Sequence, residues 1–278
     1  MISATPHDDL QTVSGDPDSL EHIQFAVGDD HVATITLNRP DALNAISGQM
    51  ARELAWAWQT VRDTDSIHAV VLRAAGDKAF CTGVDVKGDG SWFFRTNIWN
   101  TFDPGTVISP KLHHRCWKPV ITAVHGFAAG GAQYLLNESD IIICSTDASF
   151  FDPHANASIV SALEPIGMLH RGVPLGEVLR WALMGTEERI SAATALRIGL
   201  VSEVVDRDAL WERAQAIAAS IATRSPTAIQ GSVRAIWESL DMTRSTALQN
   251  GMAYTHIGNP PLDERRAAPR RNGPPVYR

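Results

Sequence analysis

Residues 118–131 read KPVITAVHGFAAGG, and the order of residue types in this stretch decides the fold class. Val120–Val124 is a short, continuous, mostly β-branched run, which suits a strand covered on both faces. Gly126, Gly130 and Gly131 then allow a turn in which the main chain takes positive φ and approaches a ligand closely. Ala69–Leu72 and Ile141–Cys144 share the same pattern. Helical stretches lie between or after these runs. The alternation predicts an α/β protein with a mostly parallel sheet, right-handed crossovers and a ligand crevice where loops leave the strand ends.

Upstream, His31–Leu37 (HVATITL) alternates Ala33, Ile35 and Leu37 against small or polar positions, a half-buried strand stopped by Asn38, Arg39 and Pro40. Ser47 is the expected N-cap of a helix whose Met50, Leu54, Trp58 and Val61 share one face. Downstream, Leu210, Ala214, Ile217 and Ile221 mark one amphipathic helix, and Ser225-Pro226 opens another carrying Ile229, Val233, Ile236 and Leu240. The resulting organisation is a loose acidic arm at 1–20, an α/β core at 21–205, a helical appendage at 206–258 and an extended basic tail at 259–278. Arg265 to Arg278 holds five arginines and no acid, so this tail is either a solubilising segment or a local site for phosphates.

A chain of 278 residues with 44% hydrophobic and 20% charged residues can bury a packed core. Its net charge of −7 argues against a surface built to neutralise phosphate backbones, so nucleic acid is not an expected partner. No run reaches the roughly 18 apolar residues of a membrane helix, and residues 1–20 do not read as a leader. Cys81, Cys116 and Cys144 are odd in number and lack CxxC spacing, which fits reduced thiols and a cytoplasmic location. His113 and His114, expected on a helix before Trp117, have no third ligand in register, so no metal site is expected.

Nucleotide hydrolysis and serine-hydrolase chemistry find no support, because GxxxxGK[ST], GxGxxG after a strand, HExxH and GxSxG are all missing. Two glycine-bearing segments remain, Phe80–Lys87 (FCTGVDVK) and His125–Ala132 (HGFAAGGA), each expected after a buried strand, the second running straight into a helix. A pair of such turns can aim two main-chain N–H groups at one point, an oxyanion hole. Packing alone also accounts for glycines in tight turns.

These segments stand in order with Ile35-Thr36-Leu37-Asn38-Arg39-Pro40, Leu43-Asn44-Ala45, Lys118–Gly126, Ser139-Asp140-Ile141-Ile142 and AATALRIGLVSEVV at 192–205. Over roughly residues 21–240 the chain resembles the crotonase superfamily, the enoyl-CoA hydratase/isomerase family. The resemblance implies a crotonase (ClpP/crotonase-like) α/β fold of repeated ββα-type units, with a C-terminal helical region through which members form homotrimers or hexamers. It implies an acyl-CoA substrate, CoA being part of that substrate and no separate cofactor being used. It also implies an oxyanion hole from the N–H groups of Val84 and Gly131. Substrate contacts are implied at Ala79, Cys81, Asp85, Val86 and Gly130, and at Trp92 and Phe93 within an aromatic stretch (Trp92, Phe93, Phe94, Trp99, Phe102, Trp117).

The departures are as informative. Where hydratases of the family carry two glutamates, this sequence has Tyr134 and His154. A phenol is a poor base at neutral pH and is expected to shape the pocket. An imidazole can move a proton, and Asp152 two residues earlier could fix its tautomer. Glu164 is a further candidate acid or base, either desolvated or a solvated loop residue. The His154 to Glu164 spacing also resembles that of oxocamphor hydrolase, a member that cleaves a C–C bond of a β-diketone. Three readings therefore stand: a hydratase or isomerase of acyl-CoA, a β-diketone hydrolase, and a silent acyl-CoA-binding homologue.

Overall fold

The computed structural model describes residues 19–88, 93, 103–259 and 261–263. The acidic arm up to residue 18, Trp92, Phe94, Trp99, Phe102 and the arginine-rich tail lie outside the described residues. The strands are β1 (Ile23–Val27), β2 (Val32–Leu37), β3 (Ala69–Ala74), β4 (Ala79–Cys81), β5 (Val120–Val124), β6 (Phe127–Ala129), β7 (Ile141–Ser145), β8 (Ser149–Phe151), β9 (Ile190–Ser191) and β10 (Glu203–Val205). The helices are α1 (Gly48–Asp63), α2 (Ala132–Asn137), α3 (Leu163–His170), α4 (Leu175–Met184), α5 (Ala192–Arg197), α6 (Leu210–Ala222), α7 (Pro226–Ser239) and α8 (Arg244–Gly258).

Six strands form one sheet in the order β1-β2-β3-β5-β7-β10, antiparallel at β1–β2 and parallel elsewhere. Its two faces are both covered, which is why the strands read as unbroken apolar runs. Ile35, Leu37, Val70, Leu72 and Val120 enter a core shared with Met50, Leu54, Trp58 and Val61 of α1. Ser47 caps that helix by accepting from Met50 N–H, and the Trp58 indole N–H donates to the Ile108 carbonyl at 2.7 Å. Val32, Ala69, Val71, Ile121 and Ile143 pack on the opposite side against Leu210, Ala214, Ala218 and Ala222.

That second packing corrects the appendage expected at 206–258. The helix α6 is a full layer of the core, its alanines allowing a close approach to the sheet. The projecting elements are α7 and α8. No residue of α7 is fully buried, although the Trp237 indole N–H donates to Asp140 at 2.6 Å. Ile236, Leu248 and Met252 are 67%, 65% and 57% exposed.

A second, four-stranded sheet has the order β4-β6-β8-β9, parallel except at β8–β9. It adds a strand inside the second glycine segment, whose Gly131 then leads straight into α2 as expected. Phe127–Ala129 first pairs with both Ala79–Cys81 and Ser149–Phe151.

The helix expected at His113 and His114 is instead a turn, because its polar groups are claimed by the core. The Lys111 ammonium, 1% exposed, bonds Asp140 at 2.8 Å and the carbonyls of Cys116 and Lys118. The buried Glu138 carboxylate accepts from the N–H groups of Lys111 and Leu112. His114 Nε2 donates to the Val107 carbonyl, and burial holds this imidazole down to about 4.

Burial pushes the Glu138 carboxyl up to about 7. Its proton affinity is thus higher in the fold than in the unfolded chain, so stability falls as pH rises between the ordinary carboxylate value and about 7. Glu138→Gln keeps an oxygen for both N–H donors but has no such dependence. The melting temperature of the variant relative to wild type should therefore rise between pH 5 and pH 8, by roughly the shift that 1–2 kcal/mol gives. A pH-independent difference would contradict this assignment.

Candidate active site

The strands β4 and β6 lie side by side, and each leads into a glycine turn. Gly83 has φ +85° and Gly130 φ +51°, conformations open to glycine. A Cβ on Gly83 would stand 2.7 Å from the Gly131 nitrogen, and one on Gly131 would stand 3.3 Å from the Val84 nitrogen. The two turns therefore meet backbone to backbone. Among the described residues neither Val84 N–H nor Gly131 N–H donates within the protein, whereas Gly130 N–H donates to Phe151 at 3.2 Å. Ile46 secures the first turn by donating to Gly83 and accepting from Asp85.

Asp152, Pro153 and His154 follow β8, the neighbour of β6. A Cβ on Gly130 would lie 3.3 Å from Pro153 Cδ and 3.9 Å from His154 Cε1, so the imidazole borders the turn that carries Gly131. His154 Nδ1 is 2.5 Å from Asp152 Oδ1. An ionised carboxylate only accepts, so Nδ1 carries the hydrogen and Nε2 is left to face Glu164 Oε1 at 3.8 Å. The hydrogen bond that His154 donates to Asp152 raises its value above that of an ordinary imidazole, with burial opposing it. Asp152 is fully buried, and its other oxygen has no hydrogen-bond partner among the described residues.

Glu164 lies in the first turn of α3 and is 5% exposed, which decides for the desolvated alternative. Burial raises its carboxyl above the usual range. Tyr134, in the first turn of α2, is equally buried, and its ring lies flat on Gly105, where a Cβ would come within 2.1 Å of two ring carbons. Phe93 is the aromatic neighbour, with ring centroids 6.0 Å apart. Burial, with the carboxylates of Glu164 and Asp103 nearby, drives the phenol far above its ordinary value, so it keeps its proton.

The remaining expected contacts are placed differently. The Asp85 carboxylate is engaged by Arg39 at 3.0 Å and by Gly88 N–H at 2.9 Å, so it shapes the turn. Ala79 and Cys81 are buried, the thiol pushed up to about 12, while Val86 is 74% exposed. Trp117 belongs elsewhere, its ring 5.7 Å from the guanidinium groups of both Arg115 and Arg234. Among the described residues no group of three His, Cys, Asp or Glu is arranged to hold a metal ion. One site residue escaped the sequence reading. Asp103, in Asp103-Pro104-Gly105, carries only the signature of a turn, yet its carboxylate accepts from Gly105 N–H at 2.9 Å and Gly105 lies against the Tyr134 ring, whose phenol its charge helps to raise.

Residues 28–257 match the family described as enoyl-CoA hydratase/isomerase. The chain belongs to this family. It is 34% identical over 235 residues to (E)-benzylidenesuccinyl-CoA hydratase of Thauera aromatica, covering 82% of this chain and 86% of the relative. It is 33% identical to a short-chain-enoyl-CoA hydratase of Clostridium acetobutylicum, with 78% and 82% covered. With the mitochondrial Delta(3,5)-Delta(2,4)-dienoyl-CoA isomerase of Rattus norvegicus it shares 32% identity, over 76% of this chain and 67% of the relative. A solved enoyl-CoA hydratase/isomerase from Mycobacterium paratuberculosis superposes with a TM-score of 0.79 at 35% identity, covering 90% and 94% of the two chains. The architecture is thus the crotonase α/β fold of the family.

The contact between Gly105 and the Tyr134 ring sets a sharp steric test. Gly105→Ala should destabilise the protein by about 1–3 kcal/mol in denaturant unfolding, because the added methyl overpacks a filled site. Tyr134→Ala in the same chain should recover part of that loss. Equal stability of Gly105→Ala and wild type would mean that the ring is not held where the structure puts it.

Proposed function

We propose that the chain acts on an acyl-CoA thioester and stabilises an enolate formed from it. The observation that supports this reading is the meeting of two unbonded N–H groups, Val84 and Gly131, beside the His154 imidazole. When a proton leaves the carbon next to a thioester, negative charge builds on the carbonyl oxygen. Fixed N–H dipoles in a site that excludes water stabilise that charge, each contributing roughly 3 kcal/mol. In this reading Asp152 fixes the tautomer of His154, His154 moves the proton, and Glu164 is the second proton carrier.

Tyr134 cannot take the place of a glutamate, since a phenol that keeps its proton cannot accept one from water. This favours moving a proton between two carbons over adding water. The relatives named above are hydratases and an isomerase of CoA thioesters, which favours a thioester over a β-diketone and turnover over silent binding. CoA is then part of the substrate, with no separate cofactor. The exposed apolar side chains of α7 and α8 support assembly as a trimer or a dimer of trimers. No helix among the described residues is long and apolar enough to cross a membrane, and the three cysteines are free and buried, which supports a cytoplasmic setting.

The test is a panel of enoyl-CoA thioesters and free β-diketones, read by mass spectrometry for turnover and calorimetry for binding. Crotonyl-CoA hydration should run about 10²–10⁴-fold slower than in a two-glutamate hydratase. On whichever thioester is turned over, His154→Ala should lower kcat by a similar factor, about 10²–10⁴, with binding largely kept. Rapid crotonyl-CoA hydration, or full activity of His154→Ala, would overturn the assignment. Gly131→Pro removes one donor and should abolish turnover of the same thioester. Retained activity there would remove Gly131 from the hole.

A further inference from the structure

We propose that Asn137 is a positioning residue of this site: its side-chain amide, received in a notch at Gly167, holds the first turn of α3 and so keeps Glu164 facing His154. The kinetic part of this inference rests on the acyl-CoA reading above and on the proton-carrying role given there to Glu164. Asn137 closes α2, 27 positions before Glu164, so nothing local in the sequence couples the two.

The need for such a hold comes from the way α3 begins. Residues 155–160 ahead of it are all exposed, and its N-cap position is Ala162, whose side chain cannot accept from the free N–H groups of the first turn. Glu164 lies in that turn. A helix end without a cap frays unless a neighbour holds it. Asn137 Nδ2 supplies the hold, donating to the Glu164 carbonyl at 2.9 Å. At the other end of α3, Arg171 donates to the carbonyls of Asn137 at 3.2 Å and Ser139 at 2.6 Å, so α3 is tied to α2 at both ends.

The amide is also oriented for this contact. Buried Gln133, one turn earlier on α2, donates its Nε2 to Asn137 Oδ1 at 2.9 Å. The nitrogen of Asn137 is thereby turned to the Glu164 carbonyl, and the flipped amide would set oxygen against oxygen. Room for it exists because residue 167 is glycine. A Cβ there would stand 2.0 Å from Asn137 Nδ2 and 2.5 Å from its Cγ. Glycine is an unfavourable choice inside a helix, and the notch it opens accounts for its place in α3.

What the contact preserves is the pairing across the site. Glu164 Oε1 lies 3.8 Å from His154 Nε2, and the charged groups facing that imidazole are Asp152, at Nδ1, and Glu164. Asp152 is placed by β8, whereas Glu164 depends on α3. The helix α2 starts immediately after Gly131, so one element carries both an N–H of the proposed hole and the side chain that places Glu164. At about 1.5 Å of rise per residue, it holds these two points roughly 9 Å apart.

Two variants on different helices break the same hydrogen bond. Asn137→Ala removes the donor, and Gly167→Ala displaces it while making α3 the better helix former. On a thioester that is turned over, each should lower kcat by roughly 10–100-fold with KM within about 2-fold, since a misplacement of about 1 Å can cost 10²-fold. The double variant should lose no more than either single one. A second measurement does not depend on the substrate. A facing carboxylate favours imidazolium, so the pH midpoint of the His154 ¹⁵N resonances, assigned with His154→Gln, should fall in both variants toward its value in Glu164→Gln. Asn137→Ser serves if Asn137→Ala does not fold. A kcat or a midpoint unchanged in both variants, additive losses in the double variant, or a midpoint that Glu164→Gln leaves in place overturns the proposal. If no thioester is bound or turned over, the acyl-CoA reading fails, while the titration still decides whether Asn137 holds Glu164.

Discussion

The constraint on which the rest of the structure depends is the contact between two glycine turns, so tight that no side chain fits between Gly83 and the Gly131 nitrogen. Such an approach is possible only if both turns hang from adjacent parallel strands, which requires β4 and β6 to pair, and β8 to pair beside them. The second sheet is small because it is built for this purpose. Its three parallel strands deliver the two N–H groups and the Asp152-Pro153-His154 segment to one place. The larger sheet behind it supplies the rigidity, with α1 on one face and α6 on the other.

Polar burial is used in two distinct ways in this molecule. Away from the site, Lys111 and Glu53 are buried with their hydrogen bonds filled. Lys111 has three acceptors, and Glu53 takes three main-chain N–H groups at the entry to β1 as well as the amide of Gln49. At the site one oxygen of Asp152 and the Tyr134 hydroxyl lack a hydrogen-bond partner among the described residues, as do both ring nitrogens of the buried His125 elsewhere. Groups satisfied in this way fix a fold, whereas groups left waiting are available for chemistry.

Much of this was legible in the sequence, for physical reasons. Unbroken β-branched runs announce strands covered on both sides, and Ser47 before a stripe of apolar residues announces a capped helix. The glycine pairs, read with the family's motif order, pointed to Val84 and Gly131. Strands of two or three residues, such as Ile190–Ser191, leave no periodicity to read, so the second sheet was invisible. The helix α6 looked like an appendage because its buried face is mostly alanine, and alanine does not announce what it packs against. Asp103 was missed because its chemistry comes from Gly105 lying flat on the Tyr134 ring, a contact between residues 29 positions apart. Asp85 misled for the opposite reason: its partner Arg39 is 46 residues away, and nothing local shows that its charge is already engaged.

The position of α6 also bears on how the protein is made. The sheet face formed by Val32, Ala69, Val71, Ile121 and Ile143 waits for a helix that starts at Leu210. During synthesis, that apolar face stays bare until the ribosome has released Ala222, long after the strands themselves could pair. A nascent chain in this condition is open to association with other chains, because exposed apolar surface and slow long-range pairing favour it.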